Sequence, residues 1–366
     1  MKVPFFNLKA VHEPLKKEFI NAFNRIVDDG SFILGKDVEQ FESSFAKFCN
    51  SSFAIGVGNG LDALKISLKT LGIGYGDEVI VPAHTYIATW LAVSEVGAVP
   101  VPVDVCENTM NINPTLILDK ITPRTKAIIP VHIYGLPCDM DAILSIAKER
   151  NLYVIEDFAQ AQGATYKGER VGSFGHINAC SFYPSKNIGA MGDAGAITTS
   201  DSELARKACM IRNYGSNQKY FHELEGVNSR LDSLQAAFLK IKLPYIDKQN
   251  EERRQISLFY HEKLKNLNEV KFQSIPPDYQ SVYHLFTIRL NNRDQLFQYL
   301  YENGIGSLIH YPIPPHLQLA YKFLNYKVGD FPVAEKIANE IISLPFFIGI
   351  QDTELEYVCE KIIRFF

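Results

Sequence analysis

The 366 residues are enough for one large domain or two linked ones, with a substantial buried core. Charged residues make up 21% and apolar residues 46%, an ordinary soluble globular balance, and a formal net charge of -4 argues against a nucleic-acid partner. No apolar run reaches the roughly 18 residues of a membrane span, and the N-terminal MKVPFFNLKAVHEPLKKEF lacks an apolar leader region, so a cytoplasmic protein with no membrane contact is expected. The six cysteines, Cys49, Cys106, Cys138, Cys180, Cys209 and Cys359, show no CxxC or metal-type spacing and read as reduced and structural, with no metal site. Fixed-period repeats are absent, which sets aside a solenoid.

Two amphipathic helices come first. Leu15, Phe19, Phe23 and Ile26 recur at helical spacing, as do Val38, Phe41, Phe45 and Phe48. From residue 53 short apolar runs alternate with helical stretches: FAIGVG, DEVIVPA, VPVPVDV, KAIIPVHIYG, LYVIEDFA, ACSFYP and GAITTS. Runs so continuously apolar fit strands buried on both faces, which predicts a mainly parallel α/β sheet with helical crossovers. A long helical stretch, RLDSLQAAFLKIKLPYIDKQNEERRQISLFYHEKL, then leads to a region where VYHLFTIRL reads as a strand and RDQLFQYLYENG as a helix. The expected division is 1–245, N-terminal helices and a large α/β domain, and 246–366, a connecting helix and a smaller α+β domain.

Ligands of open α/β sheets bind outside the carboxyl ends of the strands, and four motifs fall there. Gly56-Val57-Gly58-Asn59-Gly60-Leu61 precedes a helix, where free N–H groups and the helix dipole can cradle a phosphate. It is neither a dinucleotide fingerprint nor a Walker A loop, and a plain tight turn is equally compatible with it. Asp157, in Glu156-Asp157-Phe158-Ala159-Gln160, ends a strand and could keep a pyridine nitrogen protonated or simply cap a helix. Lys186, in Ser181-Phe182-Tyr183-Pro184-Ser185-Lys186, sits between apolar strands, and a lysine in a dry setting loses pKa and becomes nucleophilic near neutrality. Tyr86, in Pro82-Ala83-His84-Thr85-Tyr86, could stack on a planar cofactor or serve as packing.

Cradle, aromatic, strand-end acid and lysine, in this order, resemble a fold type I pyridoxal-phosphate (PLP) enzyme. More narrowly, GSFILGKDVEQFE, GDEVIVPAHTYIAT, PVHIYGLPCDM, EDFAQAQGA, SFYPSKNIGAMGDAGAI, GVNSRLDSLQAA and HYPIPPHLQ look like segments of the DegT/DnrJ-type sugar-nucleotide aminotransferases, over nearly the whole chain. The resemblance implies a large, mainly parallel seven-stranded sheet domain and pyridoxal 5'-phosphate as cofactor. By the same resemblance, Lys186 is the Schiff-base lysine, Asp157 pairs with the pyridinium nitrogen, Gln160 sits near the ring hydroxyl and Tyr86 covers one ring face. Backbone around Asn59, Gly60 and Leu61, with the Ser181 hydroxyl, would hold the phosphate. Asn228 would reach the neighbouring subunit's phosphate, which implies a homodimer with shared sites. Many relatives have Ser-Gly-Thr where this chain has Asn59-Gly60-Leu61, so the role of Leu61 is purely main-chain.

The reaction so implied is ping-pong transfer of an amino group from L-glutamate to a keto-sugar nucleotide, with Lys186 as proton carrier. A diphosphate needs cations and donors outside the cofactor pocket, and Lys219, Tyr220, Tyr183, His310 and Tyr311 are the candidates. The stretch SFYPSKNIGAMGDAGAI looks most like members that aminate C-3 of dTDP-3-keto-6-deoxyhexoses, for deoxyamino-sugar (O-antigen or surface glycan) biosynthesis. Amination at C-4 of dTDP-4-keto-6-deoxyglucose is the alternative. A sugar dehydratase on the same fold would carry histidine in place of Lys186, and a non-catalytic regulator would not need the lysine. For an amino-acid aminotransferase, HYPIPPHLQ is the wrong segment.

Overall fold

The computed structural model describes residues 1–366. All seven apolar runs of the first half form strands, and together they make one seven-stranded sheet. Its order is Phe53–Val57, Gly195–Thr199, Ile177–Ser181, Tyr153–Asp157, Thr125–Ile128, Glu78–Pro82, Val99–Val103. Only Gly195–Thr199 runs against its neighbours, and the remaining pairings in the sheet are parallel. Nearly every residue of these strands is buried, which explains why their sequences lack polar alternation. Helices cover both faces, and the main apolar core lies between the sheet and the helices Gly60–Thr70, Ala88–Glu95 and Ser202–Ile211. Side-chain caps fix several helix starts, Asn59 on the Asp62 N–H, Asp139 on the Ala142 N–H and Asp201 on the Glu203 and Leu204 N–H groups.

The long helical stretch after residue 230 is not one helix. Ser233–Lys242 and Ile246–Leu264 are separated by a 3₁₀ turn, Leu243–Tyr245, because Pro244 has no N–H to continue the ladder. The run VYHLFTIRL likewise forms a strand only over Thr287–Arg289. That strand pairs antiparallel with Lys271–Phe272 and Ile341–Ser343, and the small sheet packs on Ile246–Leu264, Arg293–Glu302 and Asp352–Phe365 around its own apolar cluster.

The chain termini and the two cores interlock. Val3 pairs with Ile305 and is buried in the small-sheet cluster, so the N-terminus belongs structurally to the C-terminal half. Tyr321, Phe331, Ala334 and Ile337 instead join the core of the large sheet. Asp104 accepts hydrogen bonds from the Val333 and Ala334 N–H groups at 3.0 and 2.9 Å, satisfying the start of the Pro332–Glu340 helix from across the chain. No helix is long and apolar enough to cross a membrane, and all six cysteines are free.

Candidate active site

The parallel strands share one orientation, so the turns that follow them gather at one edge of the sheet. Gly58–Gly60, His84–Tyr86, His132–Gly135, the Asp157 carboxylate and Ser181–Lys186 all lie there.

At the first turn the Asn59 carbonyl takes the Ala63 N–H and its side chain takes the Asp62 N–H. The Gly60 and Leu61 N–H groups are thus left for an external acceptor, at the positive end of an 11-residue helix. A Cβ at Gly60 would stand 2.6 Å from Ser181 Cβ, so glycine there brings the helix start against Ser181. Ser181 Oγ already accepts from the Tyr183 N–H at 3.2 Å, which leaves its proton free to donate outward.

Asp157 is 7% exposed and has no cationic partner in contact. Burial raises its pKa, while the Ala159 N–H, the Thr89 hydroxyl and the charge of Lys186 pull it back. Lys186 is pushed the opposite way, down to about 8, by burial, against the attraction of Asp157 and Cys180. A buried carboxylate aimed at the edge and an amine poised near neutrality thus share one pocket. Gln160 bridges its walls: Oε1 accepts the Tyr134 N–H at 2.7 Å and Nε2 donates to Tyr311 Oη at 3.1 Å. The rings of Tyr311 and Tyr86 lie 5.4 Å apart, so Tyr86, 55% exposed, overhangs the pocket mouth. Burial lowers the His310 pKa to about 4, with Lys186 adding to the effect, so this ring is neutral.

The chain matches the model of the DegT/DnrJ/EryC1/StrS aminotransferase family over residues 13–363. It belongs to this family. It is 49% identical to the dTDP-3-amino-3,6-dideoxy-alpha-D-galactopyranose transaminase of Aneurinibacillus thermoaerophilus, over 99% of both chains. It is 48% identical to the dTDP-3-amino-3,4,6-trideoxy-alpha-D-glucose transaminase of Streptomyces venezuelae, over 94% of this chain and 91% of the relative. Among solved structures, S. venezuelae DesV in complex with a ketimine intermediate superposes with a TM-score of 0.97 at 46% identity, covering 100% of this chain and 98% of DesV. The fold is therefore that of the PLP-dependent aminotransferases, and the protein is a PLP-dependent aminotransferase.

The residues present fit that cofactor. The Gly60 cradle would be closed by a single Cβ, the buried acid lacks a counter-cation, and the amine near Asp157 is unpaired. Of the residues singled out in the sequence, Asn59, Gly60, Leu61, Tyr86, Asp157, Gln160, Ser181, Lys186, His310 and Tyr311 gather at this edge of the sheet, with Tyr183 exposed beside them. Lys219 and Tyr220 do not. They form the tip of a hairpin, Ser216–Gln218 with Phe221–His222, where both are exposed and Lys219 Nζ lies 5.2 Å from the Tyr220 ring centre. Asn228 is exposed, but the next residue, Ser229, is buried and ties to the cradle, accepting from Gly58 N–H at 2.9 Å and donating to Asp62 at 2.8 Å.

Sequence reasoning missed Thr89, Tyr134 and the His132–Glu156 pair. Thr89 Oγ1 donates to Asp157 at 3.0 Å. Tyr134 Oη bonds to His84 Nε2 at 2.7 Å and to the His310 carbonyl, joining the large sheet to the C-terminal region. His132 Nε2 lies 3.0 Å from Glu156 Oε2, both fully buried. Glu156 and Asp157 are adjacent on a strand and so face opposite sides of the sheet, a signal that was legible in Glu156-Asp157.

Proposed function

We propose that the enzyme transfers an amino group from L-glutamate to C-3 of a dTDP-3-keto-6-deoxyhexose, making a deoxyamino sugar for a surface glycan. The observation that carries this reading is the near full-length similarity to two dTDP-3-amino-sugar transaminases, at 49% and 48% identity.

When bound, PLP supplies an electron sink for the charge left by removing a Cα proton. Lys186 would carry the cofactor, and its amine would take and return the proton at the donor Cα, which a pKa near 8 suits. Asp157, a buried carboxylate with no cation in contact, would hold a proton at the pyridine nitrogen. The Gly60 and Leu61 N–H groups and the Ser181 hydroxyl would hold the phosphate, and Gln160, fixed by Tyr134 and Tyr311, would have its remaining N–H free for the ring hydroxyl. Tyr86, packed against Tyr311 at the pocket mouth, would cover the ring and exclude water.

Exposed apolar side chains support a homodimer. Ile20, Phe23 and Val27 stand on the outer face of the Lys16–Asp29 helix, with Phe32 and Ile33 beyond it, all 48% exposed or more. In such a dimer Asn228 of the partner subunit contributes to the phosphate site, and Lys219 with Tyr220 supplies cation and aromatic surface for the nucleotide diphosphate. Tyr183, His310 and Tyr311 line the sugar side. The deciding experiment incubates the holoenzyme and L-glutamate with a panel of 3-keto and 4-keto sugar nucleotides and reads products by mass and NMR. Amination of 3-keto dTDP sugars is expected, and amination of 4-keto sugars alone overturns the C-3 assignment.

A further inference from the structure

Gly56 and Gly58 lead into the cradle, yet their missing side chains make room for a segment far along the chain. A Cβ at Gly56 would stand 2.7 Å from Leu231 Cβ, and one at Gly58 would stand 3.1 Å from Ser229 Oγ. Phe53–Val57 is an edge strand of the large sheet, and this later segment is bonded to its end. Arg212 donates to the Gly56 carbonyl at 2.7 Å, and the Arg212 carbonyl accepts the Ser229 N–H at 2.9 Å. The backbones of Asn213 and Asn228 pair in an antiparallel bridge.

Ser229, 3% exposed, links this segment to the helix start. Its Oγ accepts the Gly58 N–H at 2.9 Å and donates to Asp62 Oδ2 at 2.8 Å. The same carboxylate oxygen accepts from Asn59 Nδ2 at 3.1 Å, and Asn59 Oδ1 in return takes the Asp62 N–H at 2.8 Å. Lys65 Nζ lies 3.3 Å from the other oxygen. The Asn59 and Asp62 side chains are thus committed to one another and to Ser229, so the cradle is held from behind. A hydroxyl has one proton, and that of Ser229 is spent on Asp62, so it is not a ligand donor. The preceding residue, Asn228, is exposed. One short segment therefore faces the cradle of its own chain at 229 and the outside at 228.

We propose that Ser229 is a positioning residue for two cofactor phosphates, that of its own subunit through Gly58 and Asp62 and that of the neighbouring subunit through Asn228. The second half rests on the shared-site reading above, in which Asn228 reaches across the dimer. Removing the hydroxyl leaves the Gly58 N–H and Asp62 each short of a partner, which loosens the cradle. It also cuts the side-chain tether that fixes the backbone of Asn228 to the strand end.

Mixed dimers, purified through two different affinity tags, test this. One subunit carries Lys186→Ala, so only the other can show the absorbance of PLP bound at Lys186, and a PLP titration reads a single site. Ser229→Ala is then placed either in the subunit that keeps Lys186 or in the one that lacks it. The dissociation constant of PLP should rise about five- to tenfold in both arrangements, the effect of losing one hydrogen bond. A rise in only one arrangement, or in neither, overturns the proposal. A protein that is monomeric and fully active in sedimentation velocity and assay at matched concentration forms no mixed dimers, and overturns the shared-site reading itself.

Discussion

The Thr89 hydroxyl donates to Asp157 Oδ2 at 3.0 Å, the one side-chain hydrogen bond this buried carboxylate receives. Burial raises the Asp157 pKa, and Thr89 is one of the groups that hold it down. A hydrogen bond to a charged group contributes about 1.5–3 kcal/mol, so Thr89→Val at nearly constant volume should raise that pKa by about one unit or more. Only the ionised carboxylate can pair with a protonated pyridine nitrogen, and activity falls as pH drops through its pKa. The acid limb of kcat/KM should therefore move to higher pH in Thr89→Val and return in Thr89→Ser. Superimposable pH profiles would show that Thr89 merely packs.

Lys186 makes a second prediction. A nucleophilic amine must be neutral, and burial brings Lys186 down from 10.5 to about 8. Below that value the neutral fraction falls about tenfold per pH unit. The rate of reconstituting apoenzyme with PLP should rise with pH and level off just above 8, rather than near the ordinary lysine value. Borohydride should fix the cofactor to Lys186, and Lys186→Ala should lose turnover by roughly several orders of magnitude because it removes both nucleophile and proton carrier. Trapping at another lysine would refute the assignment.

Gly60 tests the cradle. Its missing Cβ would meet Ser181 Cβ at 2.6 Å and Ser181 Cα at 3.2 Å, on a strand end that has little freedom to retreat. Overpacking of this kind costs about 1–3 kcal/mol. In Gly60→Ala the strain falls where the phosphate would bind, so PLP affinity should drop roughly 10- to 100-fold. The apoenzyme should stay folded, and equilibrium dialysis of PLP reads the difference. Unchanged affinity would place the phosphate elsewhere.

The strands were the most legible part of the chain, because each is buried on both faces and reads as an unbroken apolar run such as DEVIVPA. The site residues that end strands were legible for the same reason. Boundaries set by single residues were harder: Pro244 splits a pattern that periodicity alone carries through. Thr89 and Tyr134 could not be found from spacing, because their partners lie far away in sequence. Phe23 shows a different limit. It shares the helical spacing of Phe19 and Ile26, which are buried, yet it is 48% exposed in the single chain.

That exposure leads to the prediction on assembly. Phe23 stands with Ile20 and Val27 on one helix face, and near it His12, Phe19, Met191 and Phe238 line a cleft of about 340 Å³. If this face is the dimer contact, Phe23→Glu places a charge in it and should shift the protein toward monomer at micromolar concentration in sedimentation velocity. Activity should fall with the dimer fraction, since each site would lose Asn228 of the partner subunit. A Phe23→Glu protein that remains dimeric would move the interface elsewhere.

The last prediction concerns Glu156, which is fully buried yet saturated with donors. Its Oε1 accepts from the Phe174 and Gly175 N–H groups at 2.7 and 2.9 Å, and its Oε2 from the Gly172 N–H at 2.9 Å and His132 Nε2 at 3.0 Å. His132 Nδ1 accepts the Cys138 N–H at 3.0 Å, so the ring proton that faces Glu156 sits on Nε2. One side chain therefore holds the 172–175 turn, and through His132 the segment before Tyr134, on the side of the strand away from Asp157. Glu156→Ala strands three backbone donors and a ring N–H without water, and should destabilise the fold by about 3–5 kcal/mol. Glu156→Gln keeps one acceptor oxygen but turns an NH₂ toward donors, so its loss should be smaller. Denaturant titration measures both. Because Glu156 faces away from the pocket, kcat per folded holoenzyme should change little in Glu156→Gln, and a fall in kcat beyond the folded fraction would assign it a part in the chemistry.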